Sequence, residues 1–89
     1  MTPSEDFPYS LTSHGAAVLA EREIPLDWVA RVLAQPARVE PDEDNSNLRH
    51  AVGRIPEFRG RVLRVIYDGT TSPWRIVTAF FDRRLRDTL

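Results

Sequence analysis

The sequence predicts an α+β fold: two N-terminal helices packed on one face of a three- to four-stranded antiparallel sheet. Three observations point there. Apolar residues in the first half recur at helical spacing, whereas the second half consists of strand-like runs rich in β-branched and aromatic residues. The strand-like runs follow one another through short turns, as in an antiparallel meander. The chain has 89 residues, enough for one core, so residues 1–89 are expected to form a single domain.

The elements follow in order. Residues 1–9 hold two prolines, two acids and two aromatics, and read as an extended arm pinned by Phe7 and Tyr9. Thr12 or Ser13 offers an N-cap for a short helix over about 13–22, favoured by Ala16, Ala17, Leu19 and Ala20 and weakened by Gly15. The segment Glu23–Pro25 breaks it. A second helix runs from Leu26 to Ala34, with Leu26, Val29, Val32 and Leu33 as its core stripe and Trp28 beside it. Asp27 and Arg31, four apart, can pair on its wet side, and Pro36 stops it. A short strand is expected over Ala37–Glu40, a polar loop over Asp42–Asn47, and strands over Leu48–Ile55, Arg61–Asp68 and Trp74–Asp82. The last two carry apolar residues on both faces and belong at the centre of the sheet. Residues 83–89 are a basic tail anchored by Leu85 and Leu89.

Composition narrows the function. No cysteine is present, which excludes a disulfide scaffold, a thiolate nucleophile and a zinc finger, and suits the cytoplasm. No apolar run is long enough to cross a membrane, and the acidic N-terminal segment lacks the pattern of a signal peptide. The net charge of −1 conceals a division. Residues 1–45 hold three arginines against nine acids, a net of −6; residues 46–89 hold nine arginines against four acids, a net of +5. Such a chain suits a basic face for a polyanion, or two complementary faces that would make a homodimer. Every basic residue is Arg, whose planar fork grips phosphate or carboxylate at two points.

Several residues could carry chemistry. His14 lies in the first turn of the first helix with Arg22 two turns on, so the two share a side and could hold an anion or prepare a proton transfer. As structural residues, His14 would cap the helix and Arg22 would tie down the following turn. His50 shares a strand face with Leu48, Val52 and Arg54, with Asn47 nearby, while Arg49 points the other way. Arg64 interrupts an apolar strand and shares a face with Val62 and Ile66. Burial without a partner would be costly, so it must meet a carboxylate, the surface or a ligand phosphate. Glu21, Glu23 and a carboxylate of the second helix are the candidate partners. Arg59, Arg61 and Arg75 cluster around the hairpins, and Arg83, Arg84 and Arg86 make the tail basic. Arg54, Arg59, Arg61, Arg75, Arg83 and Arg84 are the candidate nucleic-acid contacts. Asp42, Asp44 and Ser46 alternate as in a calcium loop, but Asn47 and Gly53 stand where glycine and glutamate are required. No metal or other cofactor is expected.

The segment LTSHGAAVLAEREIPLDWVARVLAQP resembles the opening of the small bacterial DUF4258 family: a His that starts the first helix, an Arg that closes it, a break, and a helix ending in Pro. GRVLRVIYDGTTSPWRIVTAFFD resembles that family's closing hairpin. Together the two segments cover about residues 9–82. The resemblance implies an α+β fold like that of RelE, ParE and BrnT-type toxins, and a place in toxin–antitoxin systems. It puts the family's helix His on His14, its helix-ending Arg on Arg22, its mid-strand Arg or polar residue on Arg64 and its terminal-strand Thr on Thr78, lining one cleft between helices and sheet. It further implies metal-independent RNA cleavage, in which a 2′-hydroxyl attacks the adjacent phosphate. His14 or His50 would move protons, and Arg22 and Arg64 would hold the phosphate charge. RNA and an antitoxin protein would be the partners. Two other readings stand beside it: a non-catalytic module that uses the same face to bind nucleic acid or protein, and an accessory protein that self-associates by pairing its two charged halves or its exposed sheet edges.

Overall fold

A computed structural model describes residues 7–89. The elements are β1 (Ser10–Leu11), α1 (Ser13–Glu21), α2 (Leu26–Ala34), β2 (Arg38–Pro41), β3 (Leu48–Ile55), β4 (Arg61–Asp68) and β5 (Arg75–Phe81), with 3₁₀ turns at Pro56–Phe58 and Arg83–Leu85. Two helices pack against one sheet, so the α+β class holds. The sheet has five strands in the order β1-β5-β4-β3-β2, and it is mixed. The expected three or four antiparallel strands are joined by β1, which runs parallel to β5. β1 is only two residues long, too short to leave a period in the sequence. It forms because the Ser10 and Thr12 amides donate to the Trp74 and Ile76 carbonyls at 2.9 and 3.0 Å. Residues 1–6 of the expected arm lie outside the described residues. Its last part is anchored where Tyr9 packs edge-on to Phe7 and stacks on Trp74.

Local chemistry sets each helix. The Thr12 hydroxyl accepts the Gly15 amide at 2.9 Å and caps α1. Gly15 is needed for packing: a Cβ there would stand 2.6 Å from the Ile76 carbonyl oxygen, so only glycine lets α1 lie so close to β5. The helix closes with the Arg22 amide on the Val18 carbonyl at 2.9 Å. Glu23 then takes a left-handed conformation, φ 55°, and the Ile24 amide turns back to the Leu19 carbonyl. In α2, Val29, Val32 and Leu33 are buried as the spacing requires. Arg31 stands 3.8 Å from Asp27 but grips Glu57 with both terminal nitrogens at 2.7 Å, tying α2 to the turn after β3.

The core fills the space between helices and sheet: Leu19, Ile24, Val29, Val32 and Leu33 meet Ala51, Ile55, Leu63, Val65, Tyr67, Ile76 and Ala79. A bulge between β4 and β5 makes this set possible. Tyr67 pairs with Ile76 but Ile66 pairs with Thr78, so Val77 is an extra residue. The inserted residue reverses the in–out alternation of β5. Ile76 before it and Ala79 after it therefore both face the helices, and Thr78 faces away. The helix-free face carries Arg38, Glu40, His50, Val52, Arg54, Val62, Arg64, Ile66, Thr78 and Phe80, as the registers dictate. Val52 and Val62 are buried there as well. After β5 the chain returns along that side. The Asp82 amide donates to the Val62 carbonyl at 2.9 Å, and Arg54 holds the Leu89 main-chain oxygen at 3.1 Å. Among the described residues, no helix is long and apolar enough to cross a membrane.

Candidate functional site

Arg64 is the centre of the helix-free face. Its position in mid-β4 puts β3 and β2 on one side and the end of β5 on the other, and it is only 7% exposed. Its Nε donates to Asp82 Oδ2 at 3.0 Å. Its Nη1 lies 3.0 Å from both Glu40 Oε1 and His50 Nδ1. The partners differ from the expected Glu21, Glu23 and α2 carboxylate for a topological reason: those acids belong to the helical layer, and Arg64 points to the opposite side of the sheet. The network extends outward. Arg38 meets Glu40 at 2.8 Å, and Arg84 wraps Asp82 with its main-chain amide, Nε and Nη2 at 3.0–3.2 Å.

The network fixes the tautomer of His50. Arg64 can only donate, so Nδ1 accepts and the ring hydrogen is on Nε2. Nε2 then donates to Asp42 Oδ1 at 2.7 Å. The other oxygen of Asp42 accepts the Asp44 and Asn45 amides at 3.1 and 3.0 Å and so shapes the loop between β2 and β3. Both ring nitrogens of His50 are therefore engaged. The carboxylates respond to their donors. Asp82 is held down to about 2, chiefly by the Arg84 hydrogen bond and then by Arg64, against the opposing effect of burial. Glu40 is lowered first by Arg64, and Asp42 first by His50 and then by the Asp44 amide. A hollow of about 280 Å³ opens beside this network, with Glu40, Asp42, Glu43 and Asp44 facing Arg64 and Arg84 across the Phe80 ring. Acids outnumber arginines on its walls.

The four residues placed in one cleft by the family resemblance divide between two faces. Arg64 and Thr78 are on the helix-free face with His50. His50 and Thr78 lie in one cross-strand row separated by Ile66. His14 and Arg22 are on α1, in the other layer. His14 is exposed in the first turn. Arg22 donates to the Ala79 carbonyl at 2.7 Å and covers β5 beyond the short β1. The bulge accounts for part of this division, because it turns Thr78 away from the helices. No cleft between helices and sheet joins the four.

The candidate nucleic-acid contacts also divide. Arg54 is committed to the Gly60 and Leu89 carbonyls, and Arg84 to Asp82. Arg75 opposes Asp68 at the far end of β4 from Arg61, roughly 20 Å of strand away. Arg59, Arg61 and Arg83 come together at the other end of the sheet, and Arg86 joins them. Arg61, Arg83 and Arg86 line a hollow of about 380 Å³ with Val62, Phe81 and Asp82. Among the described residues, none of Arg59, Arg61, Arg83 and Arg86 has a carboxylate partner. Arg61 lies over the Phe58 ring, 4.8 Å from its centroid. Arg59 stands on the β3–β4 turn in a left-handed conformation, φ 60°. Sequence reasoning overlooked Glu40, Asp42 and Asp82 as partners. The pairing of Glu40 opposite His50 depends on a register that the sequence does not state. No group of three or more His, Cys, Asp or Glu suited to a metal occurs among the described residues.

A family model described as a domain of unknown function, DUF4258, matches residues 11–81, and the chain belongs to that family. No curated protein and no solved structure matches the chain.

Proposed function

Starting from membership of the DUF4258 family, we propose that this protein binds RNA through the basic end of its sheet. The observation that carries the reading is the gathering of Arg59, Arg61, Arg83 and Arg86 at one end with no carboxylate partner among the described residues. Asp82 shares their hollow, but its charge is taken up by Arg64 and Arg84. Unpaired guanidinium groups on one surface attract phosphates through counterion release. The choice of RNA among polyanions rests on the resemblance to toxins. An antitoxin with an acidic surface that covers this end is the partner the reading implies.

RNA cleavage is a second reading, favoured by one observation: Asp42 orients the His50 imidazole on the same face as Arg64 and Thr78. Two features weigh against it. Nδ1 must leave Arg64 before it can take a proton from a 2′-hydroxyl. The neighbouring hollow carries four carboxylates against two arginines, an excess of negative charge that repels a phosphate.

Fluorescence anisotropy with labelled RNA, followed by electrophoresis of the same samples, tests both. The expected result is binding that weakens steeply with salt and leaves the RNA intact. No binding at about 50 mM salt overturns the proposal. Cleavage that is lost in His50→Asn and retained in His14→Ala would put the second reading in its place.

A further inference from the structure

We infer that the hollow at the basic end seats one unpaired nucleotide, with its phosphate held by Arg61, Arg83 and Arg86 and its base against Phe81. The ligand is thus single-stranded RNA. This rests on the RNA-binding reading above and adds the state of the strand. Three features carry it. The arginines surround a single concavity instead of forming a row. Recognition of duplex RNA needs contacts spread over successive grooves of about 16 base pairs. The longest extent of the molecule is 35 Å, and three arginines without a carboxylate partner among the described residues share one hollow. Second, the volume of about 380 Å³ matches a site for one small ligand. Third, the lining mixes three cations with the half-buried ring of Phe81, the pairing of charge and aromatic ring that holds an unstacked base.

The parts of the site are fixed in different ways. Arg61 is positioned by the Phe58 ring, which itself packs on Phe81 at 4.8 Å between centroids. Arg83 and Arg86 follow Asp82, whose carboxylate accepts the Arg84 amide and starts the turn that presents them. The buried Arg64–Asp82 pair thereby sets where the chain leaves β5.

The test measures anisotropy of a labelled single strand of about ten nucleotides and of the same sequence annealed into a duplex, with adenosine monophosphate and inorganic phosphate as competitors. The expected results are at least about tenfold tighter binding of the single strand, and competition by adenosine monophosphate at concentrations where phosphate alone has little effect. Phe81→Leu should weaken single-strand binding about five- to tenfold and leave duplex binding unchanged. Phe81 also packs on Trp28 and Phe58, and the competition on the wild-type protein decides without relying on the variant's folding. Equal affinity for single strand and duplex, or equal competition by phosphate and adenosine monophosphate, overturns the inference and leaves RNA binding standing. Failure to bind either strand form overturns both.

Discussion

The arginines of the helix-free face and those at the end of the sheet have the same side chain and opposite circumstances. Arg64 is buried and donates to Asp82, Glu40 and His50. Arg59, Arg61, Arg83 and Arg86 have no acidic partner among the described residues and look into solvent or a hollow. The first group ties β2, β3, β4 and the C-terminal turn together. The second contributes little to the fold and concentrates positive charge where a ligand can reach it. Charge counted along a sequence does not separate these roles, whereas the location of the carboxylates does.

The largest expected effect comes from breaking the paired group. Asp82→Asn leaves Arg64 buried without its main counter-charge and should cost about 3–5 kcal/mol of stability in urea denaturation. Arg61→Ala, by contrast, should stay within about 0.5 kcal/mol of the wild type. Similar costs for both would erase the distinction between the two groups.

Acid should act on the same pair. The Asp82 carboxyl titrates at about 2 in the fold, against 3.8 for an unperturbed aspartate. Its depressed value means that its contribution is fully present above the unfolded value and is lost as pH falls from about 4 toward 2. That contribution is about 2 kcal/mol. The melting temperature should fall over this interval, and Asp82→Asn should flatten the fall; an unchanged profile in the variant would assign acid sensitivity elsewhere.

His50→Asn should be milder, at about 1–2 kcal/mol, because it removes one acceptor from Arg64 and one donor from Asp42 while Glu40 and the loop amides remain. Amide exchange should quicken in residues 42–47 more than in the helices. The smallest effect is expected at Arg59, whose φ of 60° is strained for any residue with a side chain. Arg59→Gly should stabilise the protein by up to about 1 kcal/mol and weaken RNA binding, moving the two properties in opposite directions. A loss of both would make Arg59 a structural residue.

Much of this architecture was legible in the residues. The stripe of Val29, Val32 and Leu33 carries its own periodicity, the runs 48–55, 61–68 and 74–82 show as strands through their β-branched and aromatic residues, and the short turns between them impose antiparallel pairing. Arg64 stood out because a charged residue inside an apolar strand demands a partner. The identity of that partner was hidden, since it depends on which face of the sheet the helices cover. β1 was hidden by its length. The bulge at Val77 was hidden because one extra residue in a strand that is apolar on both faces disturbs no visible pattern, yet it sends Thr78 to the face of His50. Arg86 was visible as part of the basic tail; its place in the hollow depends on the turn that Asp82 begins.

The most direct measurement is the salt dependence of RNA binding for the wild type and for the combined Arg61→Ala, Arg83→Ala, Arg86→Ala variant. If these three side chains hold phosphates, affinity falls steeply with salt in the wild type, and the slope of log affinity against log salt drops by about 2 in the variant. Identical slopes for the two proteins, with folding intact in both, would contradict the account.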